Sequence, residues 1–118
     1  MAGSKNDRIQ ELAAALSTAL AAVKPEAHLD WKAMFGGAGF YADGMMFAAW
    51  FGASIALKLP EDARTELLRV EGAAQSQSPQ YIEVPPAWIE NIPALEPWVA
   101  RSVEYVKAAK PKQGKRTP

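Results

Sequence analysis

The stretch MFGGAGFYADGMMFAAWFG, residues 34–52, decides how the rest of this chain folds. It formally fits the dinucleotide pattern G-x-G-x-x-G/A through Gly37, Gly39 and Ala42. That pattern binds a pyrophosphate only where it follows a strand and opens a helix, whose amide groups hold the phosphates. Here the aromatic pair is followed by Asp43-Gly44, a dipeptide that favours a tight hairpin turn. The stretch therefore predicts the turns of an antiparallel sheet and not a nucleotide loop.

The segments on either side of this hairpin predict an α+β fold. Apolar residues recur every three or four positions in residues 7–24 and again from about Pro93 to Ala109, as in amphipathic helices. A further helix is predicted from Glu61 to about Glu71. Strand-like runs occupy residues 39–42, 45–51, 54–59 and 81–84. The order α-βββ-α-β-α predicts two layers, with helices on an antiparallel sheet of about four to five strands.

Length and charge predict one domain with a basic end. The chain has 118 residues and a formal net charge of zero. Residues 107–118 carry five basic residues and no acid, so residues 1–106 hold the other eight basic residues against 13 acidic ones. We therefore divide the chain into a domain of residues 6–109 and a flexible basic tail of residues 110–118. An acidic body argues against direct nucleic-acid binding.

The apolar segments also predict the cellular location. The apolar run from Leu12 to Val23 is too short for a membrane span, which needs about 20 residues. The charged residues Lys5, Asp7 and Arg8 precede this run, and an acidic residue at that place is not typical of a signal peptide. With no cysteine in the chain, disulfides and thiolate metal sites are excluded. We expect a cytoplasmic protein with no membrane partner.

The candidate catalytic groups do not form a recognisable set. His28 is the only histidine and stands near Glu26 and Asp30, but a metal site needs three or four convergent ligands. Ser54 and Ser102 have no evident histidine partner. We therefore predict no catalytic residue, no metal and no cofactor, and we expect His28 to be a surface residue before the sheet.

The strand after the turn, MMFAAWF at residues 45–51, is apolar at every position. Strict alternation would put Met45, Phe47, Ala49 and Phe51 on one face, and Met46, Ala48 and Trp50 on the other. A sheet with helices on one side should expose a polar face. Two explanations stay open: the final helix with Trp98 covers the second face, or that face binds a partner or a second copy through Tyr41, Met46 and Trp50.

Taken in order, these motifs resemble the N-terminal domain of the TfoX/Sxy family. The resemblance covers about residues 8–109, and its most specific part is Met34-Phe35-Gly36-Gly37 with Asp43-Gly44. The strand YIEVP and the helix LEPWVARSVEYVKAA complete it. Family members usually have a longer stretch before the Val-Pro strand, so we expect this sheet to lose or shorten a strand. Members of this family are linked to the regulation of competence genes in bacteria, where they act as co-regulators and not as enzymes.

The resemblance implies a non-enzymatic regulatory or protein-interaction module with an unknown protein partner. Lys32 and Lys58 occupy the family's basic positions and could bind an anion together with the amides of Gly36 and Gly37, or could be two exposed lysines at strand ends. The alternative function is therefore a small-ligand or anion-binding domain, with its pocket between Met34–Gly37 and the final helix.

Overall fold

The structure, a computed structural model, describes residues 5–34 and 36–115 and is α+β, as predicted. Three helices accompany one open sheet of six antiparallel strands in the order β1-β2-β3-β4-β6-β5. The helices are α1 (Lys5–Val23), α2 (Glu61–Leu68) and α3 (Ile92–Lys115), with a short 3₁₀ turn at Pro86–Glu90. The strands are β1 (Leu29–Met34), β2 (Gly37–Ala42), β3 (Met45–Trp50), β4 (Ile55–Lys58), β5 (Ala74–Gln75) and β6 (Tyr81–Glu83).

The sheet has more strands than the four to five that the sequence predicts. The strand β1 is additional, and its half-exposed pattern comes from Asp30 and Lys32 alternating with Leu29 and Trp31. The other addition, β5, has only two residues and pairs with β6. That the sheet has lost or shortened a strand relative to other family members stays a prediction.

The helices pack on one face of the sheet, as the apolar periodicities predict. Ile9, Leu12, Leu16 and Leu20 of α1 are almost fully buried, and so are Leu95, Val99 and Val103 of α3. They share one core cluster with Phe40, Phe47 and Leu57 of the sheet, against which Trp98 also packs. In the cluster that Ala49, Ala56 and Tyr81 form at the centre of the opposite face, no described helix residue takes part, although α3 borders that face at the groove beside Met46 and Tyr81. We call that opposite face, which carries Tyr41, Met46, Ala49, Ala56 and Tyr81, the outer face.

A β-bulge in β3 makes the predicted alternation of MMFAAWF wrong. Tyr41 is paired with Met46, whereas the preceding Phe40 is paired with Ala48, so Phe47 is one extra residue in β3. A bulge of this kind shifts the phase of every side chain beyond it. Phe47, Ala48 and Trp50 consequently belong to the main core, while Met46, Ala49 and Phe51 belong to the outer face.

The carbonyl group at the bulge is satisfied by a helix. The hydroxyl of Ser102, which is fully buried in α3, donates a hydrogen bond of 2.7 Å to the carbonyl oxygen of Phe47. A buried carbonyl without such a partner would destabilise the fold. The contact therefore joins the bulge to the helix layer.

The first and last helices differ slightly from the predicted boundaries, and α1 begins at Lys5 and ends at Val23. The final helix continues past Ala109 and ends at Lys115. The flexible tail of residues 110–118 and the domain limits 6–109 stay predictions, and residues 116–118 lie outside the described part.

No described helix combines the length and hydrophobicity that a membrane span requires.

Candidate functional site

The two glycines of the Met34-Phe35-Gly36-Gly37 motif lie at the first hairpin turn. Met34 pairs with Gly37, and Gly36 has a φ of 82°, in the left-handed region that favours glycine. Gly37 has a different reason to be glycine: a Cβ atom built there would overlap the carbonyl oxygen of Trp50. Phe35 lies outside the described residues. The two glycines are thus explained by backbone geometry and need no bound phosphate.

Asp43-Gly44 forms the second hairpin turn, as predicted. Asp43 has a φ of 50° and Gly44 a φ of 85°, the two positive values that a type I′ turn requires. The carboxylate of Asp43 also joins three segments of the fold. Its Oδ1 accepts a 2.9 Å hydrogen bond from the backbone N–H of His28, and its Oδ2 lies 3.2 Å from Lys107 Nζ in α3.

These contacts lower the pKa of the Asp43 carboxyl group below its ordinary value of 3.8. The backbone hydrogen bond from His28 is the larger cause and the hydrogen bond from Lys107 the next. Both favour the ionised form. Asp43 is therefore a structural carboxylate that holds the hairpin against α3 and the segment before β1.

Apolar side chains cover the centre of the outer face. Ala49 and Ala56 are buried although, within the described residues, their cluster contains only strand and turn residues and no helix. The ring of Tyr81 meets that of Phe51 edge to face, with 6.1 Å between centroids. Burial raises the pKa of the Tyr81 hydroxyl, with a smaller contribution from Tyr41. This face is therefore an apolar surface covered by its own long side chains.

Methionines cover the part of the outer face over Gly39. A Cβ atom built on Gly39 would lie 3.0 Å from the methyl carbon of Met34 and 3.1 Å from the sulfur of Met46. Both methionines are half-buried. Flexible thioether side chains of this kind adapt to different partners.

The structure brings together two of the three residues predicted for an interaction face. Tyr41 and Met46 are directly opposite each other on β2 and β3. Trp50 is only 8% exposed, belongs to the main core and donates from its indole N–H to the carbonyl oxygen of Ala53 at 3.3 Å. Whether Tyr41 or Met46 contacts a partner stays a prediction.

The two lysines predicted to contact an anion lie on the outer face but on different strands. Lys32 is on β1 and Lys58 on β4, so three strand spacings, about 14 Å, separate their backbones. The Nζ atom of Lys32 lies 5.9 Å from the centroid of the Tyr41 ring. An anion that contacted both lysines would have to lie over Tyr41 and Met46. Anion binding by the pair stays a prediction.

The cavities are placed differently from the predicted pocket. The cavity beside Met34 and Gly37 has a volume of about 190 Å³ and is lined by β2, β3, Phe51 and Gln77, without a described residue of α3. A larger groove of about 670 Å³ lies between the Asp43-Gly44 turn and α3. Its lining includes Lys58, Tyr81 and Tyr105.

The lone histidine is a surface residue, as predicted. The His28 side chain is 74% exposed, and its Nε2 lies 3.3 Å from Asp30 Oδ1. Over the described ranges, no three His, Asp or Glu side chains are grouped so that they could hold a metal ion. The hydroxyl groups of Ser54 and Ser102 are both used in buried hydrogen bonds to backbone carbonyls.

These observations define a class of protein. It is an α+β domain with helices on one face of an antiparallel sheet, two glycine-dependent hairpins and an apolar outer face. The TfoX N-terminal domain family matches residues 21–106. The chain belongs to the TfoX N-terminal domain family, which is not a known enzyme family. No curated protein and no solved structure matches the chain significantly.

Sequence reasoning missed several residues of the outer face. Tyr81 and Glu83 of β6 and Phe51 after β3 all lie there. The pattern of YIEV contained the signal, because Ile82 and Val84 are the core residues of an alternating strand and their neighbours must face the other way. The prediction that Phe51 lies on the face opposite Met46 was wrong, since its face depends on the bulge at Phe47.

Proposed function

We propose that this domain is a non-enzymatic, regulatory protein-interaction module that acts in the cytoplasm and binds its partner through the outer face. The observation that carries the proposal is the composition of this face: Met34, Tyr41, Met46 and Phe51 are half-buried on a side of the sheet where the described helices do not pack. Half-buried methionine and aromatic side chains are enriched at interaction surfaces.

The family supports the same proposal. The resemblance links this fold to co-regulators of competence genes, and the motif residues have structural explanations here. Gly36 and Gly37 shape a hairpin, and Asp43 pairs with His28 and Lys107. Because these motif residues stabilise the fold, we assign the function to a surface that the fold presents, the outer face.

Site-specific photo-crosslinking in cells tests the proposal. A benzophenone amino acid is introduced at Met46 on the outer face, and separately at Leu68 as the control. Leu68 is a large apolar residue that is 42% exposed on α2. We expect a discrete crosslinked product from position 46 and none from position 68. The absence of a product at position 46, in a protein that folds normally, would contradict the proposal.

A small-ligand or anion-binding role is the second candidate, favoured by the groove of about 670 Å³ that Lys58 lines with Tyr81 and Tyr105. Titration with pyrophosphate followed by NMR tests it, with Lys32→Ala as the matched control for Lys58→Ala. Binding that is weakened only by Lys58→Ala would place a ligand in the groove. Negligible chemical-shift changes in the wild type, the Lys32→Ala protein and the Lys58→Ala protein would contradict this second candidate.

A further inference from the structure

We infer that the partner of the outer face is a second copy of this chain, packed face to face across a two-fold axis. The inference rests on the proposed function and deepens it. It depends on how charged residues are arranged around the apolar centre, an arrangement that the strand register defines.

Two rows of paired residues cross the outer face. The first row runs from Lys32 through Gly39, Ala49 and Ala56 to Glu83. A basic residue thus stands at one end and an acidic residue at the other, about 19 Å apart across four strand spacings. The three residues between them are small, so the sheet is flat enough there for the long side chains of the neighbouring row.

The second row has the opposite polarity. Asp30, Tyr41 and Met46 are paired in turn, and on the next strand Lys58, two residues beyond the outer-face residue Ala56, is paired with Tyr81. Around the apolar centre the charges therefore follow the order Lys32, Glu83, Lys58, Asp30, with alternating sign. We call these four residues the charged rim.

An alternating rim is complementary to itself. A two-fold axis between the faces and parallel to the strands would set Lys32 opposite Glu83 of the second copy, and Asp30 within one strand spacing of Lys58. An axis across the strands would set Lys32 opposite Asp30 of the second copy. Each two-fold arrangement joins unlike charges, which is what an isologous interface requires.

Three of the four rim charges have no opposite charge beside them among the described residues, whereas Asp30 lies 3.3 Å from His28. Within the described residues, neither Lys58 nor Glu83 makes an ion pair, and both are half-buried. In the same described part of the chain Lys32 makes no ion pair either, and its Nζ atom lies 5.9 Å from the centroid of the Tyr41 ring. Partly desolvated charges without an opposite charge are destabilising, and a second copy would supply that charge.

The size of the face predicts a weak dimer. Five strand spacings and strands of about five residues give a flat area of about 400 Å² per copy. Together the two faces come to about 800 Å², below the range of stable interfaces. We therefore expect a dissociation constant in the micromolar range and a dimer that forms only as the concentration rises.

Sedimentation velocity from about 1 to 300 μM in low salt tests the inference. We expect wild type to pass from monomer to dimer, and high salt to weaken the dimer. Met46→Glu at the apolar centre should raise the dissociation constant at least about tenfold, and Lys32→Glu about threefold to tenfold. Lys32 is exposed, so Lys32→Glu should fold normally, and Leu68→Glu is the control that leaves the dimer unchanged.

Charge exchange identifies the axis. Lys32→Glu combined with Glu83→Lys restores the dimer if the axis is parallel to the strands, and Lys32→Glu combined with Asp30→Lys restores it if the axis crosses them. A wild-type protein that stays monomeric overturns the inference. So does a dimer that is affected neither by Lys32→Glu nor by salt, and so does a Lys32→Glu defect that neither charge exchange restores. The proposed function would survive this result if position 46 crosslinks to a different protein, and would fail if it crosslinks to nothing.

Discussion

The hydroxyl of Ser102 in α3 donates a 2.7 Å hydrogen bond to the carbonyl oxygen of Phe47, the extra residue of the bulge in β3. The two residues are 55 positions apart in the chain. Because the bulge decides which of the following side chains face the helices, this contact links α3 to the composition of the outer face. A polar residue inside an apolar helix face therefore has a specific structural role.

Ser102→Ala should lower the free energy of unfolding by about 1–3 kcal/mol, because it removes the buried hydroxyl that donates to the carbonyl of Phe47. Urea denaturation measures the change. Ser17→Ala is the matched control, an exposed serine-to-alanine change in α1 that should alter the free energy by less than about 0.5 kcal/mol. Equal effects of the two substitutions would contradict the role assigned to Ser102.

Gly37→Ala should destabilise the protein by at least about 3 kcal/mol, because its Cβ would overlap the backbone carbonyl of Trp50, which cannot rotate away. Gly36→Ala meets no atom within 4 Å and is strained only by its positive φ, at a cost of about 1–2 kcal/mol. Thermal unfolding of both variants checks this order. A Gly37→Ala protein as stable as the Gly36→Ala protein would show that the two strands can separate there.

Trp50→Ala should cost about 3–5 kcal/mol, as expected for a large residue in the main core. Met46→Ala, on the outer face, should cost only about 1 kcal/mol in the monomer. Denaturation at low protein concentration, where a dimer would be dissociated, measures both. If Met46→Ala were the more damaging substitution, the assignment of the two residues to opposite faces would be wrong.

Asp43→Asn should remove part of the acid sensitivity of the fold. The folded-state pKa of Asp43 lies below the ordinary value of 3.8, so its contribution to stability is present above about pH 4 and is lost as the pH falls through the folded-state pKa. Asparagine tolerates the positive φ and can still accept from His28, but it loses the charge that faces Lys107. We expect wild type to melt at a higher temperature than the variant at pH 7.

Melting curves between pH 2 and pH 7 measure that difference, which should narrow as the pH falls. Glu71→Gln, an exposed carboxylate outside these contacts, is the control and should show no such trend. A difference in melting temperature that stays constant down to pH 2 would mean that the Asp43 carboxylate does not contribute through its charge.

Much of the fold could be predicted from local patterns. The apolar repeat of Ile9, Leu12, Leu16 and Leu20 can be buried on only one face of a helix, and Asp43-Gly44 favours a turn with two positive φ angles. The edge strands were missed because their burial is partial. β1 alternates but carries Asp30 and Lys32, and β5 is two residues long.

The sequence by itself determined the helix faces, the hairpin at Asp43-Gly44 and the membership of the TfoX N-terminal domain family, because these depend on neighbouring residues and their spacing. Only the tertiary structure decided which side chains meet on the outer face. The phase of β3 changes at Phe47, and the contact that satisfies the bulge comes from Ser102, in another layer of the fold. The same register placed Trp50 in the core and set Lys32 and Glu83 at opposite ends of one row, since cross-strand pairing is a long-range relationship that no local pattern contains.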